Sequence, residues 1–169
     1  MGNKLVNTAR LSSGNKRLGA AMVVEDDEHM RALLAGLVRQ LGFERLIEVA
    51  RIDQALGVLE SNDVELALID LCLDEEDGTA LIAAIRSHRR TGIPAMPIVA
   101  VSATSTLSRV EQAIAAGADA FIAKPFSVAS VQRSVTLACV KRQLTKTPKQ
   151  DVLDTIRLFD RQDSFVDID

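Results

Sequence analysis

Short β-type apolar runs alternate five times with stretches whose apolar residues recur at helical spacing, and this alternation constrains the chain more than any single residue. The runs are Ala20–Val24, Leu46–Ala50, Glu65–Asp70, Met96–Val101 and Asp119–Ala123. The helical stretches are Asp27–Leu41, Asp53–Ser61, Gly78–Arg89, Leu107–Ala116 and Val128–Gln143. Parallel strands need a crossover between them, so strand and helix in strict alternation predict a parallel sheet. The third and fourth runs are nearly continuous in apolar residues, as expected of strands covered on both faces. The predicted fold class is therefore α/β, a five-stranded parallel sheet with helices on both faces in a doubly wound (βα)5 arrangement. Gly42, Gly92 and Gly117 follow three of the helices, where left-handed C-caps place glycine. Asp53 and Ser127 are the expected N-caps of two others.

The chain has 169 residues, of which 47% are apolar, enough for one domain with tails. Residues 1–17 hold Lys4, Arg10, Lys16 and Arg17 and no acid, and read as a disordered basic lead. The domain is expected over 18–143. Residues 144–169 read as a linker followed by an acidic tail, in which Val152, Ile156 and Phe159 are spaced for one short helix. About 25 residues after the last helix are too few for a separate output domain. A net charge of −3 argues against nucleic acid as a partner. No run approaches membrane-spanning length. Cys72 and Cys139 stand 67 residues apart and fit neither a metal spacing nor a disulfide framework, so a reducing, cytoplasmic setting is expected.

In an open parallel sheet, ligands bind beyond the carboxyl ends of the strands. The first run ends in Glu25-Asp26-Asp27, the third in Asp70, the fourth is followed by Ser102 and the fifth by Lys124. Carboxylates gathered without a cation repel one another, so the acids imply a divalent ion, and oxygen-only ligands suit Mg²⁺. Lys124 and the Ser102 hydroxyl add a cation and a donor for an anionic oxygen, which together make a phosphate socket. Asp70 at the end of a buried strand is placed to attack phosphorus and become an aspartyl phosphate.

These residues resemble the response-regulator receiver domains of two-component systems, in organisation the single-domain chemotaxis regulators. The resemblance spans roughly residues 18 to 143. It is carried by the acids of MVVEDDE (Glu25, Asp26), the Asp70 of LALIDLCLDEEDG, the Ser102 of VAVSA, and the Phe121 and Lys124-Pro125 of DAFIAKPF. It implies the flavodoxin-like strand order and a phosphoryl group accepted on Asp70 from a histidine kinase or histidine phosphotransfer protein. Asp26 is then expected to hold Mg²⁺ directly, Glu25 through water, with Asp70 and the backbone carbonyl of Cys72 as further ligands. The Lys124-Pro125 bond is expected to be cis. Phosphorylation is expected to draw in Ser102, turn Phe121 inward and remodel the surface of the fourth helix, fifth strand and fifth helix for a protein partner. Such a chain modifies itself and is not an enzyme toward external substrates. A phosphate sink or relay shuttle, and a pseudo-receiver that binds partners without phosphorylation, are the alternative functions.

One position departs from the family pattern. Asp74 stands where a proline is usual, inside the acidic run Asp74-Glu75-Glu76-Asp77, which reads as a solvated loop and first helical turn. The neighbouring DEEDGTAL brushes against the haloacid dehalogenase motif, but Glu75 replaces its first aspartate. His29 and His88 read as surface residues, and Cys72 as an inert thiol in an apolar strand-end setting. The broad apolar band Val128, Val131, Val135, Leu137, Cys139 and Val140 serves either packing on the sheet or a homodimer or partner surface.

Overall fold

The computed structural model describes residues 18–144. The expected basic lead, the tail after Leu144 and its short helix lie outside the described residues. Five strands, β1 (Leu18–Val24), β2 (Phe43–Val49), β3 (Val64–Asp70), β4 (Ile98–Ser102) and β5 (Ala120–Ala123), form one parallel sheet in the order β2-β1-β3-β4-β5. Five helices join and flank them: α1 (Glu28–Arg39), α2 (Ile52–Ser61), α3 (Gly78–Arg86), α4 (Leu107–Ala116) and α5 (Val128–Leu144).

Strand periodicity divides the core in two. Met22, Val24, Ala67, Ile69, Ile98 and Ala100 face one side, where Ala55 and Leu59 of α2, Leu81, Ile82 and Ile85 of α3 and Ala113 of α4 cover them. Their immediate neighbours Ala21, Val23, Leu66, Leu68, Val99 and Val101 face the other side, beneath Leu34, Ala35 and Val38 of α1 and Val131, Val135 and Ala138 of α5. Two-sided burial explains why these strands read as unbroken apolar runs. The band expected on α5 splits accordingly: Val131 and Val135 are buried and Cys139 and Val140 half-buried, whereas Val128 and Leu137 are exposed.

Several local expectations need correction. Strand β2 begins three residues before the expected Leu46, because Phe43 is buried and Arg45 pairs in register with Ala20. Asp53 is not an N-cap. Helix α2 starts at Ile52, whose N–H donates to Glu76 Oε2 at 3.1 Å from the β3–α3 loop, so a distant acid supplies the cap. Gly117 is the left-handed C-cap of α4, but Gly92 is not a helix cap; with φ 92° it opens a short 3-10 turn over Ile93–Ala95. His88 is mostly covered, its Nδ1 accepting from Arg90 N–H at 3.1 Å and its Nε2 3.2 Å from Glu60 Oε1. His29 is exposed, as expected.

A polar network closes the amino end of the sheet. Arg86 at the end of α3 donates to the carbonyls of Gly117 (2.9 Å), Pro94 (3.0 Å) and Met96 (2.7 Å) and to Asp119 Oδ2 (2.8 Å). The Asp119 carboxylate is fully buried, accepts from Ile98 N–H at 2.9 Å, and has Arg142 of α5 at 2.8 Å. Burial draws Arg86 down to about 10 while Asp119 opposes that fall. Arg86→Ala leaves three carbonyls and part of a buried carboxylate without their donor. It is expected to cost about 3 kcal/mol or more, read as a lower urea midpoint at unchanged slope. A loss below about 1 kcal/mol would show that water replaces the guanidinium at little cost.

Candidate functional site

Register alone assembles the site. Val24 of β1 pairs with Ile69 of β3, so Glu25 emerges level with Asp70. Asp70 pairs with Val101 of β4, and Ser102 pairs with Ala123 of β5, so Lys124 emerges one step beyond. Strands β1 and β3 are neighbours although β2 lies between them in sequence. Their carboxyl ends flank the point where strand order reverses, which opens a crevice.

Into that crevice Lys124 extends its ammonium, donating to Glu25 Oε2 at 2.7 Å and to Asp70 Oδ2 at 2.6 Å. Glu25 and Asp70 are 1% and 2% exposed, so the lysine offsets two charges that water does not reach. Asp70 Oδ1 accepts from the N–H of Cys72 at 2.9 Å. Burial lifts the Glu25 carboxyl to about 7; the Lys124 hydrogen bond opposes the rise and the Asp70 carboxylate adds to it. Burial alone would lower Lys124, but its bonds to Asp70 and Glu25 outweigh this and hold it above its ordinary value.

Asp26 is exposed beside this pair. Oxygens of Glu25, Asp26 and Asp70 all lie within 4.8 Å of one another, a hard-oxygen set that fits a divalent ion such as Mg²⁺. Arg31 of α1 pins the turn that carries the acids, donating to the carbonyls of Glu25 (2.7 Å) and Asp26 (3.2 Å). Ser102 is fully buried; its Oγ accepts from Thr104 N–H at 3.1 Å and its carbonyl from Lys124 N–H at 2.8 Å. The Lys124-Pro125 bond is cis. Phe121 is partly buried and packs against the core on the α2, α3 and α4 side.

The acidic run is more ordered than a solvated loop and helical turn. Cys72–Leu73 pairs antiparallel with Glu76–Asp77 as a two-rung hairpin. Asp74 turns it with φ 41°, a left-handed conformation that aspartate tolerates and proline cannot adopt. The Asp74 N–H then donates to Asp26 Oδ2 at 3.1 Å, which ties the hairpin to the acid cluster. Asp77 caps α3 through Thr79 N–H and pairs with Arg109 of α4. Cys72 is exposed rather than set in an apolar pocket, with its Sγ 3.9 Å from Arg109. Arg31, Arg109 and Arg86 are the polar residues that strand-end reasoning missed. Only Arg109 carried a signal, as a cation in a helix's first turn, where the macrodipole disfavours it.

The family model for the response regulator receiver domain matches residues 21–136. The chain belongs to the response regulator receiver family. Receivers are the phosphoryl-accepting signalling domains of two-component systems, and Mg²⁺ binding at an acidic pocket is general among them. Among curated relatives, this receiver is 31% identical to the transcriptional regulatory protein GltR of Pseudomonas aeruginosa, over 78% of this chain and 53% of that one. It is 30% identical to the transcriptional regulatory protein PdtaR of Mycobacterium tuberculosis, over 73% and 58%. The chain thus spans little more than half the length of these relatives. Among solved structures, a CheY-like receiver from Methanospirillum hungatei superimposes with a TM-score of 0.65 at 23% identity, covering 75% of this chain and 97% of that one. NtrX from Brucella abortus, solved with ATP, gives 0.67 at 27% identity over 75% of this chain and 28% of its own. No helix among the described residues of this receiver is long and apolar enough to cross a membrane.

Proposed function

We propose that this receiver accepts a phosphoryl group on Asp70 from the phosphohistidine of a sensor kinase or phosphotransfer protein, and passes the signal by protein contact. The observation that carries this is a buried carboxylate held by an ammonium at 2.6 Å and a backbone N–H at 2.9 Å, beside two further acids. An Asp70 oxygen attacks phosphorus, the nitrogen–phosphorus bond breaks, and its electron pair stays on the donor imidazole. Lys124 is placed to stabilise charge on the transferring oxygens without having to reorganise. Glu25, Asp26, Asp70 and the Cys72 carbonyl would hold Mg²⁺, which when bound supplies further positive charge to those oxygens. Ser102, at the end of β4, would donate its hydroxyl to a phosphoryl oxygen.

The output surface in this reading is α4-β5-α5. Leu107 and Ile114 of α4 and Val128 of α5 are exposed there, Leu107 at 74%. Intact mass after incubation with acetyl phosphate and Mg²⁺ tests the phosphoacceptor assignment. A gain of one phosphoryl group, lost when the metal is chelated, is expected. An unmodified native chain would overturn the proposal and leave a pseudo-receiver.

A further inference from the structure

We propose that Arg109 is a positioning residue of the switch: its guanidinium ties the first turn of α4 to the base of the phosphoacceptor loop and must release when Asp70 is phosphorylated. The inference rests on the phosphoacceptor reading above and assigns its coupling to a contact outside the acid cluster. The contact is a fork. Nη2 donates to the Leu71 carbonyl at 2.6 Å and to Asp77 Oδ1 at 3.2 Å, while Nη1 lies 3.3 Å from Asp77 Oδ2. Leu71 directly follows Asp70, and Asp77 is the N-cap of α3, so one side chain on α4 grips both ends of the hairpin that follows the phosphoacceptor. Gln112, one turn further along α4, receives Nη1 at 3.1 Å and steadies the arginine from behind.

A second connection between Asp70 and α4 is the loop from Ser102. Its buried hydroxyl accepts from Thr104 N–H at 3.1 Å, and Thr104 lies two residues before Thr106, the N-cap of α4. If the Ser102 hydroxyl moves to a phosphoryl oxygen, Thr104 must follow or lose that bond, and the first turn of α4 is displaced relative to the hairpin. A shift of an ångström or more strains all three bonds of 2.6 to 3.3 Å at once, and the fork keeps them together only if its side chain re-extends. The far end of α4 is anchored differently. The Gly117 carbonyl is held by Arg86 at 2.9 Å within the network that includes buried Asp119. Helix α4 therefore has a fixed end at Gly117 and a releasable end at Arg109, the geometry of a pivot.

A latch closed only in the resting state makes activation harder, so removing it must favour binding of a phosphoryl analogue. The test is calorimetric titration of the full chain with beryllofluoride and Mg²⁺, comparing the native protein with Arg109→Ala, Arg109→Lys, Asp77→Ser and the Arg109→Ala/Asp77→Ser pair. Serine at 77 keeps an N-cap oxygen for α3 while removing the carboxylate. Arg109→Ala and Asp77→Ser are each expected to bind about three- to tenfold more tightly than the native chain, with the pair no tighter than either alone. Arg109→Lys, which keeps the charge without the fork, should fall between. A merely structural arginine predicts weaker binding after its removal, so unchanged or weakened affinity in Asp77→Ser and Arg109→Lys would overturn the latch. Failure of the native chain itself to bind the analogue would instead overturn Asp70 as phosphoacceptor, and the latch with it.

Discussion

Asp70→Asn is expected to take up no phosphoryl group from acetyl phosphate while remaining folded, the largest functional effect any single substitution here should show. The amide is nearly isosteric with the carboxylate. Its oxygen can keep the bond from Cys72 N–H, which is 2.9 Å long in the native chain. What disappears is the nucleophile of the proposed transfer, since an amide oxygen does not displace a phosphoryl donor at neutral pH. Stability should change little. Lys124 loses its 2.6 Å partner but keeps Glu25 at 2.7 Å, and the repulsion between Glu25 and Asp70 is relieved. The two effects oppose each other, and a net change within about 1 kcal/mol is expected from the usual worth of one such bond. Intact mass and thermal unfolding, measured on one preparation, separate the outcomes. A phosphorylated Asp70→Asn chain would place the acceptor elsewhere, with Asp26 the first residue to substitute next.

Gly78→Ala should be the most destabilising of the small substitutions. A Cβ at residue 78 would lie 2.0 Å from the Asp70 carbonyl oxygen and 2.9 Å from Leu71 Cα. Both are backbone atoms of the strand end that presents Asp70, so no side-chain rotation relieves the overlap. Gly78 N–H also bonds the Leu71 carbonyl at 3.1 Å, which keeps the two segments close. The methyl must either push α3 away from β3 or move Asp70. We expect a loss of about 3 kcal/mol or more, beyond ordinary overpacking because the obstruction is main chain. Phosphorylation by acetyl phosphate should slow by more than tenfold, since a displacement of about 1 Å at a reacting group has effects of that size or larger. A folded Gly78→Ala chain with native phosphorylation kinetics would mean that the hairpin yields without disturbing Asp70.

Much of this was legible in the sequence for one physical reason. A strand buried on both faces has no use for a polar residue, so Glu25, Asp70, Ser102 and Lys124 stand out at the ends of apolar runs and converge once the strands are parallel. The acidic run was not legible in the same way. Its meaning lies in partners far along the chain: Glu76 caps α2 at Ile52, and Asp77 meets Arg109, 32 residues away. Four consecutive acids look like a solvated turn unless those partners are known. The Arg86 network was hidden for a different reason. A basic residue in a helix's last turn is favoured by the macrodipole, so Arg86 looked ordinary although it is buried against three carbonyls. His88 misled because a lone histidine carries no pattern that distinguishes a paired residue from a solvated one.

The Arg86–Asp119–Arg142 cluster lies at the amino end of the sheet, and Glu25, Asp70 and Lys124 lie at the carboxyl end. The two poles are joined by the strands that run between them. The fold's polar anchorage and its reactive chemistry are thus carried by separate inventories of residues. Under the proposed function, substitutions that retune metal affinity or phosphoryl lifetime can accumulate at the carboxyl pole while the amino pole keeps the scaffold closed. Such a domain has latitude to diversify: lineages can explore new signalling rates and new partners without first acquiring compensating changes in the framework.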